Sequence, residues 1–378
     1  MKLRMKGGIQ GRIGRQFMRW ADEALDQAIQ ERRARWLSAF AIQAQPLRQE
    51  ILLAIDECDP AAWKQKRILR LSWAEGKTRI MKITQEAQVT PDQIEARCGF
   101  CEALRQGGVR TIRYLRTRSG YCLEDEGYCI TLEEDAGPAL KKISLALAAK
   151  IGALTAQMHK TALAMELHLT YSTIFEPMGR NEVNALPLFS QWIQQGRLDR
   201  WTNLVRQIIR ERIRAEAALD FVWDSLPHAA CQGDLSLGNL GCTAEGDLII
   251  FDYNIAGEAV LVSDMILEGL LICREYEAED QASAEACFQS YVRAYGKVRP
   301  LTEKERIAAE LLYSLNSAFW FTWITYRETS LEKALAQNAA EAVEKHLHRI
   351  LAELTARNFS TFLEESERTS DNDREKRS

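Results

Sequence analysis

Apolar positions recur three and four residues apart through "MRWADEALDQAIQERRARWLSAFAIQ" at 18–43, the spacing of an amphipathic helix. Residues 15–57 therefore read as two helices broken at Pro46. Beyond "DPAAW" at 59–63 the period changes to two: "KRILRLSW", a turn at "AEG" and "KTRIMKIT" predict a β-hairpin. "TPDQIEARCGFCEALRQGG" at 90–108 reads as a helix, with Thr90 as N-cap, Pro91 at the first helical position and glycines at the stop. "VRTIRYLRTR" and "YCLEDEGYCITLEE" suggest two more strands, and "DAGPAL" at 135–140 ends the pattern. From 141 onward the period is helical, interrupted by one strand–loop–strand unit at about 228–254. The expected class is α+β. Its parts are a helical N-terminal extension (1–60), a β-rich lobe (61–134), a connector (135–140), an α-helical lobe (141–365) and a disordered polar tail (366–378).

A chain of 378 residues exceeds what one core usually organises, which agrees with two lobes. A net charge of −4 argues against a nucleic-acid binder, and no run of eighteen apolar residues suggests a membrane span. The basic stretch before Asp22 reads as a disordered arm; it lacks the apolar segment and cleavage site of a secretory signal. Nine cysteines, an odd number spread over the chain, suggest reduced thiols in a cytoplasm. "CGFC" at 98–101 could join Cys122 and Cys129 around zinc, but lying within a helical pattern it reads better as buried thiols.

The chemistry concentrates in "CQGDLSLGNLG" at 231–241 and "IIFDYN" at 249–254. Two acids and an amide on a rigid β-hairpin suit phosphoryl transfer, in which a carboxylate orients the attacking hydroxyl while oxygen ligands hold magnesium. Asp234 and Asn239 have the catalytic-loop spacing D-x-x-x-x-N, and Asp252 ends the apolar strand as a metal-binding acid would. With Gly257, "DM" at 264–265 and "IGALTAQMH" at 151–159 added, the chain resembles the aminoglycoside phosphotransferase and choline kinase-like family, over about residues 64–360.

The resemblance implies a protein-kinase-like two-lobe fold that uses ATP or GTP with Mg2+ to phosphorylate a hydroxyl on a small molecule: an amino alcohol, a sugar, an aminoglycoside or a homoserine-like acceptor. It implies that Asp234 is the catalytic base, that Asn239 and Asp252 are metal ligands, and that Asp264 accepts backbone hydrogen bonds that hold the catalytic loop. Lys82 would contact phosphates, paired with a helical glutamate, Glu95 ahead of Glu102. The hinge would include "TLEEDAG" at 131–137. One departure is Gln232, where the family usually has histidine before Gly-Asp. Rival readings are a pseudokinase that docks a protein partner through residues 1–60, and a protein Ser/Thr kinase, disfavoured by the short Asp252 to Asp264 interval. His159 reads as a packed core histidine. Trp320, Trp323 and Tyr326 read as core, with a cation–π pocket for a quaternary ammonium as the alternative.

Overall fold

The structure, a computed structural model, describes residues 13–57, 64–74, 76–86, 89–170, 184–243, 246–356, 359 and 362, with side chains from residue 25 onward. The basic stretch before residue 13 and the tail at 366–378 lie outside the described residues. Two compact units are present, Met1–Arg105 with Thr111–Gly137, and Gln106–Arg110 with Pro138–Ser378.

The first unit holds helix α1 (Ile13–Ala39), strands β1 (Arg48–Glu57), β2 (Lys64–Ser72) and β3 (Thr78–Glu86), helix α2 (Pro91–Gln106), and strands β4 (Leu123–Asp125) and β5 (Tyr128–Glu134). The strands form one antiparallel sheet in the order β1-β2-β3-β5-β4. One face of it is covered by α1: Leu25, Ile29, Trp36, Leu37 and Phe40 pack into a single core with Leu69, Leu71, Met81, Ile83, Ile130 and Leu132. Polar bonds fix this helix as well. Trp36 Nε1 donates to Asp125 Oδ2 at 2.7 Å, and the buried Arg67 guanidinium of β2 pairs with Asp26 of α1 at 3.1 Å and Asp56 of β1 at 2.8 Å. A buried guanidinium satisfied from two elements locks their relative placement, because removing either acid leaves a desolvated charge.

Two expectations change here. Residues 48–57 are a strand, not a second helix, because the backbone of "RQEILLAIDE" finds a ladder partner along the whole of β2, from Arg48↔Ser72 to Glu57↔Lys64. Tertiary pairing overrides local propensity at such an ambiguous apolar run. The remaining N-terminal helix is then the cover of the sheet rather than an appendage, and the apolar side chains it presents from Leu25 onward are occupied by that core. The segment "VRTIRYLRTR" forms no strand; it makes isolated bridges at Thr111 and Tyr114, the latter with Glu133, before Thr117 and Gly120 close a turn. Helix α2 starts as expected, with Thr90 Oγ1 accepting from Gln93 N and Gln93 Oε1 accepting from Thr90 N, a reciprocal cap.

The second unit begins with α3 (Leu145–Ala164), α4 (Leu186–Gln194) and α5 (Thr202–Trp223). Four short strands follow, β6 (His228–Cys231), β7 (Leu240–Cys242), β8 (Leu248–Ile250) and β9 (Gly257–Val260), paired as β6–β9 and β7–β8. Helices α6 (Leu261–Glu275), α7 (Ala284–Val298), α8 (Glu303–Ala318), α9 (Leu331–Ala336) and α10 (Ala340–Thr355) complete it, with a π-helical turn at Thr322–Tyr326. Helix α6 is buried on nearly every side, as its continuous apolar sequence requires. Helices α3 and α7 approach closely at Gly152, where a Cβ would be driven into the Tyr291 carbonyl. Among the described residues no helix is long and apolar enough to cross a membrane.

Candidate active site

The two strand pairs of the second unit present the quoted motifs on adjoining turns. Strand β6 runs into Gly233, at φ +78°, and Asp234; a 3-10 turn at Leu237–Asn239 leads into β7, and Asp252 follows two residues after the end of β8 at Ile250. Asn239 Nδ2 donates both to Asp234 O at 2.7 Å and to Asp234 Oδ2 at 3.0 Å, so the D-x-x-x-x-N spacing closes into a small ring of bonds. The amide nitrogen of Asn239 thus faces Asp234, and its Oδ1 is the acceptor the side chain keeps for another partner. Phe251 N donates to Asn239 O at 2.9 Å, which ties the residue before Asp252 to the same turn.

Asp252 itself is left-handed, at φ +62°, a conformation aspartate tolerates better than most side chains but not without strain. It is held there by Gln232. The wholly buried Gln232 donates from Nε2 to Asp252 O at 2.6 Å and accepts at Oε1 from Asp234 N at 2.8 Å, bridging the two acid-bearing turns. The departure from histidine at this position thus removes nothing: an amide supplies one donor and one acceptor, the same pair an imidazole offers.

Asp264 and Glu268 lie one helical turn apart on α6, so their side chains share a face. Asp264 Oδ2 lies 2.9 Å from His159 Nε2, whose Nδ1 is 2.8 Å from the Tyr295 hydroxyl. Arg299 donates to that hydroxyl at 3.0 Å and to Glu305 Oε1 at 2.6 Å, and Glu305 caps α8 with Thr302. This buried chain of polar contacts ties α3, α6, α7 and α8 together. The bond into the catalytic-type loop comes from elsewhere. Leu235 N donates to Glu268 Oε2 at 2.6 Å, so the loop-holding part expected of Asp264 falls to Glu268, while Asp264 orients His159. Burial pushes the Glu268 carboxyl well up, and the nearby Asp264 and Asp234 charges push it further.

No protein-family model and no curated protein sequence matches the chain. Solved structures do. An aminoglycoside phosphotransferase from Alicyclobacillus acidocaldarius is 13% identical, covering 84% of this chain and 94% of its own, with a TM-score of 0.50. The chain has the aminoglycoside phosphotransferase fold. An amicoumacin kinase in complex with AMP-PNP and Ca2+ is 16% identical over 80% of this chain and 89% of its own, with a TM-score of 0.46. The choline kinase of Streptococcus pneumoniae is 14% identical over 83% and 97%, with a TM-score of 0.42.

In the first unit of this phosphotransferase fold, Lys82 is buried on β3 and its ammonium lies 3.0 Å from Glu133 on β5. Glu95 is occupied differently from the expectation: its Oε2 accepts from Tyr121 N at 2.6 Å and Cys122 N at 2.8 Å, and Glu102 pairs with Arg105. The Lys82–Glu133 pair thus lies within the sheet. The register explains it, since Lys82 sits opposite Thr131 and Glu133 is the diagonal neighbour on the same face. A signal for Glu133 was present in β5, where Thr131 and Glu133 alternate with Ile130 and Leu132. Glu268 had a signal too, an acid within an apolar run of helix four residues after Asp264.

Of the three aromatic positions expected in the core, the two tryptophans are there and Tyr326 is not. Trp320 and Trp323 are buried, Trp320 Nε1 donates to Glu275 at 2.7 Å, and the Arg274 and Arg349 guanidinium groups already lie over the two rings, whereas Tyr326 is exposed. The zinc alternative for Cys98, Cys101, Cys122 and Cys129 gains no support, since these thiols are in neither convergent ligand set among the described residues, and burial pushes Cys98 and Cys101 up.

Proposed function

We propose that the chain is a phosphotransferase that moves the γ-phosphoryl group of ATP or GTP to a hydroxyl on a small molecule. The observation that carries this reading is the bonded unit Asp234–Asn239–Gln232–Asp252: two carboxylates and an amide oxygen fixed on adjoining rigid turns. In it, Asp234 orients the acceptor hydroxyl and takes its proton as the oxygen attacks the phosphorus in line. Its carboxylate is positioned for that by the Asn239 amide and, through its own backbone N–H, by Gln232. The donor set fits Mg2+, which prefers hard oxygen ligands: the Asp252 carboxylate and Oδ1 of Asn239 would hold it. When bound, the ion neutralises charge on the transferring phosphates. Lys82, oriented by Glu133, is the proposed contact to the nucleotide phosphates, and the 131–137 segment the proposed binder of the base.

Chain length between the motifs favours a small acceptor over a protein. Asp252 leads through four residues into β9, which passes directly into α6, so there is no segment that could act as an activation loop. The acceptor is an alcohol of the amino alcohol, sugar, aminoglycoside or homoserine-like class. The test is ADP release from Mg2+·ATP and Mg2+·GTP across a panel of these, with Asp234→Asn beside the wild type. An acceptor-dependent rate that falls at least about a thousandfold in Asp234→Asn, with nucleotide binding kept, supports the reading. An acceptor-dependent rate that Asp234→Asn leaves unchanged overturns the assignment of Asp234.

A further inference from the structure

Away from Asp234 and Asp252, three chain segments bring two imidazoles and a carboxylate to one point. The segment after α3 runs beside β6, with Ala230 N donating to Leu167 O at 2.9 Å, and this sets His168 at the strand's flank. In the β6–β9 pair Glu258 stands opposite Ala230, so His228, two residues before Ala230, lies on the same face of the ladder as its diagonal neighbour. His168 Nδ1 is 2.8 Å and His228 Nδ1 2.7 Å from the single oxygen Glu258 Oε1, and the ring centroids are 5.8 Å apart. The second oxygen, Glu258 Oε2, accepts from Leu169 N at 3.1 Å.

We infer that His168, His228 and Glu258 form a binding site for a zinc-type divalent transition metal. Two imidazole nitrogens and one carboxylate oxygen are a borderline N2O donor set, which suits Zn2+ and its analogues far better than Mg2+. The ligand atoms already lie within 4.8 Å of one another. Arms of about 2.0–2.1 Å to a tetrahedral ion place neighbouring ligand atoms about 3.3 Å apart, so each nitrogen must move roughly half an ångström from Oε1. Both imidazoles are more than half exposed and have room to do so. Binding moves the Nδ1 proton of each neutral ring to Nε2, freeing the lone pair for the ion, and the fourth position is left to water. The Leu169 N–H anchors the other carboxylate oxygen, the kind of outer bond that orients a metal-binding carboxylate. A second convergent set, His159, Cys231 and Asp264, lacks these properties: it is sealed from solvent, and both nitrogens of His159 are engaged by Tyr295 and Asp264.

The site ties the end of α3 to the strand that runs into Asp234, and it stands whether or not the chain transfers phosphate. The test is a competition titration of the full, untagged chain with Zn2+ against a chromophoric chelator, without nucleotide, followed by Co2+ for its visible absorption. The variants are His168→Gln, His228→Gln and Glu258→Gln, with Cys242→Ser controlling for an exposed thiol. The expected result is one Zn2+ per chain, an affinity weakened more than about a hundredfold in each of the three variants, and no change in Cys242→Ser. Circular dichroism on each variant separates loss of the site from loss of the fold, and His168, exposed and outside any strand, is the variant that must fold. Absence of Zn2+ binding, or binding that a folded His168→Gln variant retains, overturns the inference.

Discussion

Replacing Gln232 with leucine removes both bonds that join the two acid-bearing turns while nearly keeping the side chain's volume. The lost contacts are Gln232 Nε2 to Asp252 O at 2.6 Å and Asp234 N to Gln232 Oε1 at 2.8 Å. Gln232 is wholly buried, so a partner left facing leucine is not fully rehydrated, and each such orphaned group costs about 1–3 kcal/mol. Two of them give a loss of about 2–6 kcal/mol. At about 2–4 °C per kcal/mol for a unit of this size, the melting temperature falls by roughly 5–20 °C. Gln232→His should cost far less, about 1 kcal/mol, because an imidazole can donate on one nitrogen and accept on the other. Gln232→Glu keeps the acceptor, loses the donor and adds a charge beside Asp234 and Asp252, so it should resemble leucine. The assay is calorimetric unfolding of the four proteins, paired with Mg2+·ATP affinity, which should weaken in parallel as Asp252 loses its hold. A Gln232→Leu protein that melts within about 1 °C of wild type, with unchanged Mg2+·ATP affinity, refutes the bridging account.

Other perturbations follow from the same geometry. Because Asp252 is left-handed, Asp252→Gly should be about 1 kcal/mol more stable to urea than Asp252→Ala, although both lose the carboxylate; equal midpoints contradict the strain. The Glu268 carboxyl is raised by burial and by the charges of Asp264 and Asp234, so the folded chain binds more protons than the unfolded one above the ordinary glutamate range. Wild-type stability should therefore decline as pH rises from about 4.3 toward the folded value, and Glu268→Gln should flatten that decline in urea titrations; parallel profiles contradict it. Glu268→Ala, which also orphans Leu235 N, should cost about 3 kcal/mol or more at every pH. Gly152→Ala drives a methyl group into the Tyr291 carbonyl and should cost about 3 kcal/mol, read as a lowered urea midpoint.

What could be read from the sequence was whatever local pattern decides. The β2 and β3 strands, the Thr90 cap and the Asp234 to Asn239 spacing all lie within short stretches: the strands and the cap form there, and the spacing closes into a hydrogen bond. What escaped depends on partners far along the chain. Strand β1 is a strand only because β2 lies beside it, and "VRTIRYLRTR" loses its strand to a turn at Thr117. That Glu133 stands 3.0 Å from Lys82 follows from the register of β3 on β5, which helical spacing does not show. Glu268 escaped because the loop it holds is 33 residues upstream, and the compensation at Gln232 becomes visible only when Asp234 N and Asp252 O are seen to face one side chain.

The central claim is a metal-dependent nucleotide site built on Asp252 and Asn239, and calorimetric titration of ATP tests it most directly, with and without Mg2+, in wild type and Asp252→Gly. The account predicts binding that tightens at least tenfold with Mg2+ in the wild type and loses that dependence in Asp252→Gly, a variant that relieves backbone strain and so stays folded. Absence of ATP and GTP binding in the wild type, or a Mg2+ dependence that survives in Asp252→Gly, contradicts it.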